Sequence, residues 1–357
     1  MMSAGHSRDE LVSVVIPAYN AERFILDALQ SVKDQVHRPV EVVVVNDGST
    51  DRTGEVVSGF GEKTGSDSLV VRLVDVAPNK GVSHALYTGF SKAAGDYMCW
   101  LSADDTYIAK TKLAFQLERM RTEGSMWSYY RGTMSGTSVT DARPTKPTFP
   151  LGLPFVRASF EENPLKRLAM LLLRNPINGS SVMISRECIQ KHGQFDPSRR
   201  NMDHDGDLWL RYSALGAKLS VLDGAPVFYR RHEGQDSKRL GMHVYDVELT
   251  QIRMIHALDR SQKLSQVIDA AYRLMPLMMR PDVYRFRPLT VETIFGHVLG
   301  DKERFGGWKR WYGQRVLKKL AVATNRVPVD KGKLLEDVDE FSRSETFVDF
   351  ERKLRPD

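Results

Sequence analysis

The chain has 357 residues, 41% hydrophobic and 27% charged, the balance of an ordinary globular protein with length enough for one large domain and a smaller one. Fifty-one Lys and Arg against 45 Asp and Glu leave a net charge of +6, too mild an excess to indicate a nucleic-acid partner. Two cysteines, Cys99 and Cys188, exclude a disulfide framework, and MMSAGHSRDE lacks the apolar core of a secretory signal, so a cytoplasmic protein is expected.

Leu11 to Ile16 predict a buried strand closed by Pro17. Asn20 is placed to cap a helix that carries Ile25, Leu29, Val32 and Val36 on one face. Val40 to Val45 predict a second strand, apolar throughout except for Glu41, as expected where both faces of a parallel sheet are covered. After the turn Asn46 to Asp51 and a short helix, Val70 to Val74 predict a third strand. Val82, Ala85, Leu86, Gly89 and Ala93 line a helical face, and Tyr97 to Leu101 predict a fourth strand. Ala103 to Asp105 precede another helix, with Leu113, Leu117 and Met120 inward. This alternation predicts an α/β protein with an open, mostly parallel sheet, whose ligands bind beyond the carboxyl ends of the strands. Tyr19, Asp47 and the pair Asp104–Asp105 each follow directly on a predicted strand.

Between Arg131 and Pro164 the pattern breaks down around Pro144, Pro147, Pro150, Pro154 and Pro164, a long irregular segment of the kind that serves as a lid or insertion. Regularity returns with a helix at Leu165 to Leu173, a strand at Ser180 to Ile184, a helix at Asp207 to Leu215 and a strand at Lys218 to Leu222. The apolar run Leu168 to Leu173, between Arg167 and Arg174, is far shorter than the roughly 20 residues of a spanning helix. Beyond Gln235 the chain reads as helical. The expected division is a tail (1–10), a domain over 11–237 and a helical C-terminal region over 238–357. Within the domain, 11–130 form a nucleotide-binding half, 131–164 the irregular loop and 165–237 an acceptor and catalytic half.

The chain contains neither a GxxxxGK[ST] loop nor a GxGxxG turn, the commonest cradles for nucleotide phosphates. Asp104 and Asp105 offer another route. Adjacent carboxylates in an apolar neighbourhood repel unless a cation lies beside them, and hard oxygens suit Mg²⁺ or Mn²⁺, which hold diphosphates. A solvated Asp-Asp turn that caps the next helix is the other reading of the pair.

VSVVIPAYNAERFILDALQSV, VEVVVVNDGSTDRT and NKGVSHALYTGFSKAAGDYMCWLSADD, followed by NPINGSSVMISRECIQKHGQFD, DHDGDLWLRYSALG and YRRHEGQDS, resemble the family 2 glycosyltransferases over residues 11–237. The resemblance implies a GT-A fold and an inverting enzyme that moves a sugar from a nucleoside-diphosphate donor, most often a UDP-sugar, to a hydroxyl acceptor. It implies that Pro17, Ala18, Tyr19 and Glu22 surround the base and that Asp47 accepts a hydrogen bond from it. Asp104 and Asp105 occupy the last two positions of an Asp-x-Asp-Asp pattern, with Asp104 on the ribose and Asp105 on a divalent metal, Mn²⁺ or Mg²⁺. The pattern's first aspartate is replaced by Ser102, and Leu86 stands where many relatives carry an arginine near the diphosphate, a charge that Lys80 could supply. His232 falls at a metal-contacting position. Alignment on Asp-Leu-Trp-Leu-Arg puts Asp205 at the catalytic base and His204 where relatives carry a glutamate. Asp203 and Asp207 are rivals, with Asp207 expected to be a helix cap. Asn175, Asn178 and His204 are candidates for the acceptor side.

The expected acceptor is a saccharide or lipid-linked glycan of cell-surface polysaccharide synthesis. Residues 296–328 add eight Lys and Arg against two acids, interleaved with Trp308, Trp311, Tyr312, Val316, Leu317 and Leu320. Such a segment packs on the protein as a C-terminal helix or lies, through residues 302–323, on the inner face of an anionic membrane. Two other classes remain open on sequence alone: a nucleotidyltransferase, which would normally carry a Gly-rich basic loop after the first strand, and a non-catalytic nucleotide- or sugar-binding module.

Overall fold

The computed structural model describes residues 10–145, 153–198, 203–235, 240–279, 281–323 and 327–355. The N-terminal tail up to residue 9, Pro147, Pro150, the expected boundary at 237 and Arg326 lie outside the described residues. The chain divides into two units, one made of 1–146, 177–200 and 218–232, the other of 147–176, 201–217 and 233–357. The polypeptide therefore passes between units several times, whereas the sequence pattern suggests a single passage near 237.

The first unit is the α/β part. Its strands are β1 (Val12–Ala18), β2 (Val40–Asp47), β3 (Leu69–Val76), β4 (Tyr97–Trp100), β5 (Thr106–Tyr107), β6 (Trp127–Tyr130), β7 (Met134–Gly136), β8 (Arg143–Pro144), β9 (Val182–Ser185), β10 (Leu219–Leu222) and β11 (Val227–Arg230). Seven form one sheet in the order β10-β6-β9-β4-β1-β2-β3, and β5-β11-β7-β8 form a second. β1 pairs in parallel with β2 and β4, and β2 with β3, while β9 runs antiparallel between β4 and β6. The Val-rich β1 and β2 are buried on both faces, the environment in which β-branched side chains pack best. At the edge, β3 alternates, with Leu69 buried and Val70 exposed.

Three expectations change at this level, and the one polar residue of Val40–Val45 finds its partners. Glu41, an apparent blemish in β2, is buried. Its Oε2 accepts from Ser13 Oγ (2.5 Å) and Ala94 N (2.8 Å), and it pairs with Arg72. Asn20 does not cap the following helix, which begins at Ile25 after Phe24. It adopts a left-handed φ of 49° and accepts from Thr50 N (2.9 Å), joining the loop after β1 to the loop after β2. Val36 is exposed because that helix stops at Lys33. Asp207 is no cap either: the helix expected from Asp207 begins at His204, with Asp203 at its N-cap.

The second unit is helical among its described residues. Pro154–Glu162 and Pro164–Leu173 supply its first two helices, His204–Ala214 the third, and Leu240–Arg260 the longest. Shorter helices follow, including Leu264–Ala271, Pro288–Gly300, Gly307–Ala321, Lys331–Phe341 and Glu345–Leu354. Glu248, buried in the long helix, accepts from Leu289 N (2.7 Å) and Thr290 N (2.9 Å), so a side chain from one helix satisfies the open first turn of another. Arg167, a polar flank in the sequence, is 1% exposed. It donates to Ser213 Oγ (3.1 Å) and to the carbonyls of Phe160, Glu161 and Ala217. No described helix is long and apolar enough to cross a membrane.

Candidate active site

In the first unit, β2 and β3 are added on one side of β1 and β4 on the other, so the strand order reverses beside β1. The carboxyl ends of β1 and β4 there open the crevice in which α/β sheets bind ligands. Tyr19 leaves β1 with 53% of its surface exposed, an aromatic face available for stacking. Pro17 and Ala18 close β1 behind it. Glu22 is tied to the loop after β2, its Oε2 accepting from Arg52 N (3.1 Å), while Asp51 Oδ2 accepts from Glu22 N (3.1 Å). This knitting fixes the wall on which Tyr19 stands.

Asp47 ends β2 and is buried, with Oδ1 accepting from Lys80 N (3.0 Å) and Oδ2 from Gly81 N (2.8 Å). Each oxygen keeps a further lone pair for a ligand, but the visible work of Asp47 is to hold the loop after β3. Gly48 belongs to the same junction. Its φ is +72°, and a Cβ there would stand 2.8 Å from Asn79 N. Lys80 is exposed on that loop.

Asp104 and Asp105 follow β4 and have opposite environments. Asp105 is 1% exposed, with Oδ2 accepting from Ser180 Oγ (2.7 Å) and Oδ1 from Arg230 N (3.2 Å). Burial, then the neighbouring Asp104 charge, pushes its carboxyl well above the usual carboxylate range. The Asp104 side chain remains 27% exposed, and its Oδ2 lies 2.9 Å from His232 Nε2. The two neighbours thus differ in exposure and in partners. The outward carboxylate beside the histidine is Asp104, and Asp105 is turned inward onto protein donors.

Residues 128 apart meet because β11 pairs antiparallel with β5, the strand that follows Asp105 directly. The end of β11 thus delivers Arg230 and His232 to the acidic pair. Arg230 Nε donates to the Asp104 carbonyl (3.0 Å), its Nη2 to Asp27 (2.8 Å), and its guanidinium lies 5.1 Å from the Phe24 ring centroid. The His232 ring packs on Phe24 at 4.9 Å. Ser180 and Arg230 are the residues the sequence reading missed. Both lie in motifs it quoted, NPINGSS and YRRHEGQDS, but neither residue type announces a carboxylate partner far away in sequence.

Ser180 owes its position to Gly179, where a Cβ would stand 1.9 Å from the Trp100 ring. Only glycine lets the chain pass that indole before β9. Asn178, expected on the acceptor side, keeps a buried Oδ1 without a hydrogen-bond partner among the described residues, an acceptor that a ligand or water would satisfy. Asn175 belongs to the other unit.

Two or three protein groups and a diphosphate can share a divalent cation, and Asp104 with His232 has the right chemistry: a hard carboxylate oxygen and an imidazole nitrogen. No three His, Cys, Asp or Glu side chains converge on a metal position among the described residues. Phosphate oxygens or water would complete such a shell.

In the second unit, the start of the helix His204–Ala214 sorts its three aspartates by burial. Asp203 adopts φ 64° and is buried, its carboxylate lying so close under Gly206 that a Cβ there would stand 2.2 Å from Oδ1. Asp207 is 1% exposed and held between two buried guanidinium groups, with Oδ2 accepting from Arg211 Nε (2.9 Å) and Oδ1 paired with Arg253. Asp205 alone is half-buried, with Oδ1 accepting from Gly206 N (2.8 Å) in the first turn. Asp205 is thus the most exposed carboxylate of this turn. His204 is half-buried beside it. His243, on the long helix, senses the Asp205 charge, although burial and then Arg287 lower its pKa.

Comparisons with known proteins agree with this architecture. Residues 13–170 match the Glycosyl transferase family 2 profile. A protein of Rickettsia typhi, named only as an uncharacterized glycosyltransferase, is 28% identical over 205 residues, 57% of this chain and 58% of its own length. Another so named, from Haemophilus influenzae, is 28% identical over 234 residues, 64% of this chain and 67% of that one. The chain spans less than two thirds of the first three curated relatives it matches, 41–58% of their lengths. Among solved structures, S. aureus TarS 1–349 in complex with UDP-GlcNAc has the same fold, with a TM-score of 0.56 at 19% identity over 96% of this chain and 90% of that one. Strand order, motif order and profile agree: residues 13–170 are similar to the family 2 glycosyltransferases, and the chain has a GT-A fold with a helical C-terminal region.

Proposed function

We propose that this chain transfers a glycosyl group from a nucleoside-diphosphate sugar to a hydroxyl acceptor, with inversion at the anomeric carbon. The observation that carries the reading is the Asp104–His232 pair, 2.9 Å apart, at the carboxyl ends of the parallel strands that also present Tyr19 and Asp47. Tyr19 would stack on the base, Asp47 and Glu22 would border it, and Lys80 would face the diphosphate. Asp104 and His232 would hold a divalent cation, Mn²⁺ or Mg²⁺, whose chemistry is to neutralise the departing diphosphate. Asp105 would act from behind, fixing Asp104 through Ser180 and the Arg230 backbone.

Asp205 would be the base. Its free oxygen accepts the acceptor's hydroxyl proton as that oxygen bonds to the anomeric carbon on the face opposite the diphosphate. The bond from that carbon to the diphosphate oxygen breaks in the same displacement. The products are an inverted glycoside, a nucleoside diphosphate and a protonated Asp205, which returns its proton to water. Water exclusion and orientation of the two substrates supply the rest.

We take a UDP-sugar as the donor, a choice that the shared fold of the TarS complex with UDP-GlcNAc favours. The acceptor would be a saccharide or lipid-linked glycan of the cell surface, with Asn178, Asn175 and His204 on its side. Incubation with UDP-sugars and Mn²⁺ tests the reading. Release of free UDP that depends on a saccharide acceptor supports it, pyrophosphate release would indicate nucleotidyl transfer, and binding without turnover would leave a recognition module.

A further inference from the structure

We propose that the outward face of the helix Gly307–Ala321 docks the protein on an anionic phospholipid surface. The helix has two sharply different sides. Gly313, Val316 and Leu320 are buried, and Gly313 brings the backbone so close to the helix Pro288–Gly300 that a Cβ would meet Phe295, Val298 and Leu299 at 3.5–3.6 Å. The opposite side reads Trp308, Trp311, Arg315, Lys318, Lys319 and, just past the helix, Val322, at spacings of three and four that keep them on one face. Trp308 is 51% exposed, Trp311 59% and Val322 76%.

Trp311 therefore points away from the core, and Trp308, whose ring meets the buried Tyr272 edge-to-face at 5.2 Å, still leaves half of its surface outside. The cations also sort by side. Lys309 pairs with Asp269, and Arg310 donates to the Leu299 carbonyl, so both serve the fold. Arg315, Lys318 and Lys319 form no ion pair among the described residues, and Arg315 lies 5.6 Å from the Trp311 ring centroid. No acid interrupts this face; Asp301 and Glu303 precede the helix, and Asp301 accepts from Arg304 N and Ser265.

A solvated helix face usually mixes both signs and carries no exposed indole, because exposed Trp costs free energy in water. Two indoles flanked by three cations match a bilayer headgroup layer instead, where Trp sits at the boundary and Lys and Arg meet lipid phosphates. At 15 residues, with polar side chains along its length, the helix would lie in the plane of the surface.

Vesicle flotation tests the proposal with the intact chain. Phosphatidylglycerol-containing vesicles should carry the protein to the top of the gradient at low salt. Pure phosphatidylcholine should not, and high salt should release it. The triple variant Arg315→Gln, Lys318→Gln, Lys319→Gln should lower partitioning on the order of a hundredfold. Trp308→Ala with Trp311→Ala should lower it roughly tenfold. All five positions are exposed, and unchanged melting temperatures would establish that the variants fold.

The protein has five Trp, and Trp100, Trp127 and Trp209 are at most 8% exposed, so quenching by brominated lipid would report on Trp308 and Trp311. Flotation unchanged in both variants, equal binding to neutral vesicles, or absent quenching overturns the proposal. So does a lipid-free dimer that shields the two indoles, or tighter binding to RNA than to anionic vesicles. None of these readouts depends on sugar transfer.

Discussion

The acidic pair after β4 and the acidic turn that opens the helix His204–Ala214 solve the same problem by different means. In each, neighbouring carboxylates divide into those buried on protein groups and one that stays partly exposed. After β4, Asp105 is buried against a hydroxyl and a backbone amide, neutral donors that leave its carboxyl with a raised pKa. In the helical turn, Asp207 is buried against Arg211 and Arg253, full opposite charges. The first arrangement disfavours a second full negative charge next to Asp104. The second cancels the Asp207 charge within the core, while Asp205 in the same turn stays half-buried. Burial of a carboxylate therefore says little until its partners are known.

The comparison breaks first at Asp205. We expect Asp205→Asn to reduce transfer by about 10²- to 10⁴-fold while donor binding, followed by calorimetry with UDP and Mn²⁺, stays close to wild type. Transfer at the normal rate would return the base to Asp203 or Asp207. Next comes the ionic lock. Asp207→Ala leaves two buried guanidinium groups without their carboxylate and should cost about 3 to 5 kcal/mol, seen as an earlier unfolding transition in urea. A loss below about 1 kcal/mol would mean that solvent reaches Arg211 and Arg253.

Asp104→Ala and His232→Ala should each weaken Mn²⁺-dependent UDP binding on the order of tenfold or more. Asp105→Asn, which keeps the shape, should weaken it less. The reverse ranking would restore Asp105 as the metal-facing carboxylate.

The smallest effect sharpens the comparison with a buried charge that has no ionic partner among the described residues. Lys112 is 1% exposed, with Nζ 3.6 Å from Cys99 Sγ and 4.4 Å from the Tyr107 ring centroid. Burial lowers its pKa below the unfolded 10.5. Between the two values the unfolded chain binds more protons, so stability rises with pH across that window. Lys112→Met should therefore stabilise the protein by about 1 to 2 kcal/mol at neutral pH, and the gain should shrink as pH rises toward 10.5. Thermal melts of both proteins across that range would show it.

Strands β1, β2 and β4 and the helices between them were legible because runs such as VEVVVV fit only a sheet covered on both faces. The strand-end residues Tyr19, Asp47 and Asp104 followed from that alternation. What stayed hidden depends on distant partners. Glu41 looks like an interruption until Ser13 and Ala94 are beside it, and Arg167 looks like a solvated flank until four oxygens surround it. Asn20 and Asp207 both have the composition of helix caps, yet one links two loops and the other neutralises a core. Which of Asp104 and Asp105 is turned inward could not be read either, since a twofold choice between adjacent identical residues is decided by which one meets Ser180 and the Arg230 backbone.

One consequence concerns how the molecule can be cut. β9, at Val182–Ser185, is the only link between β4 and β6 in the large sheet among the described residues. A fragment ending at 170, where the family profile ends, would contain β4 and β6 but neither β9 nor β10. It would carry one bare edge on β4 and two on β6, the kind of unpaired backbone through which strands recruit other chains. Such a fragment should precipitate, whereas a chain extended to 232, which restores both missing strands, removes those edges.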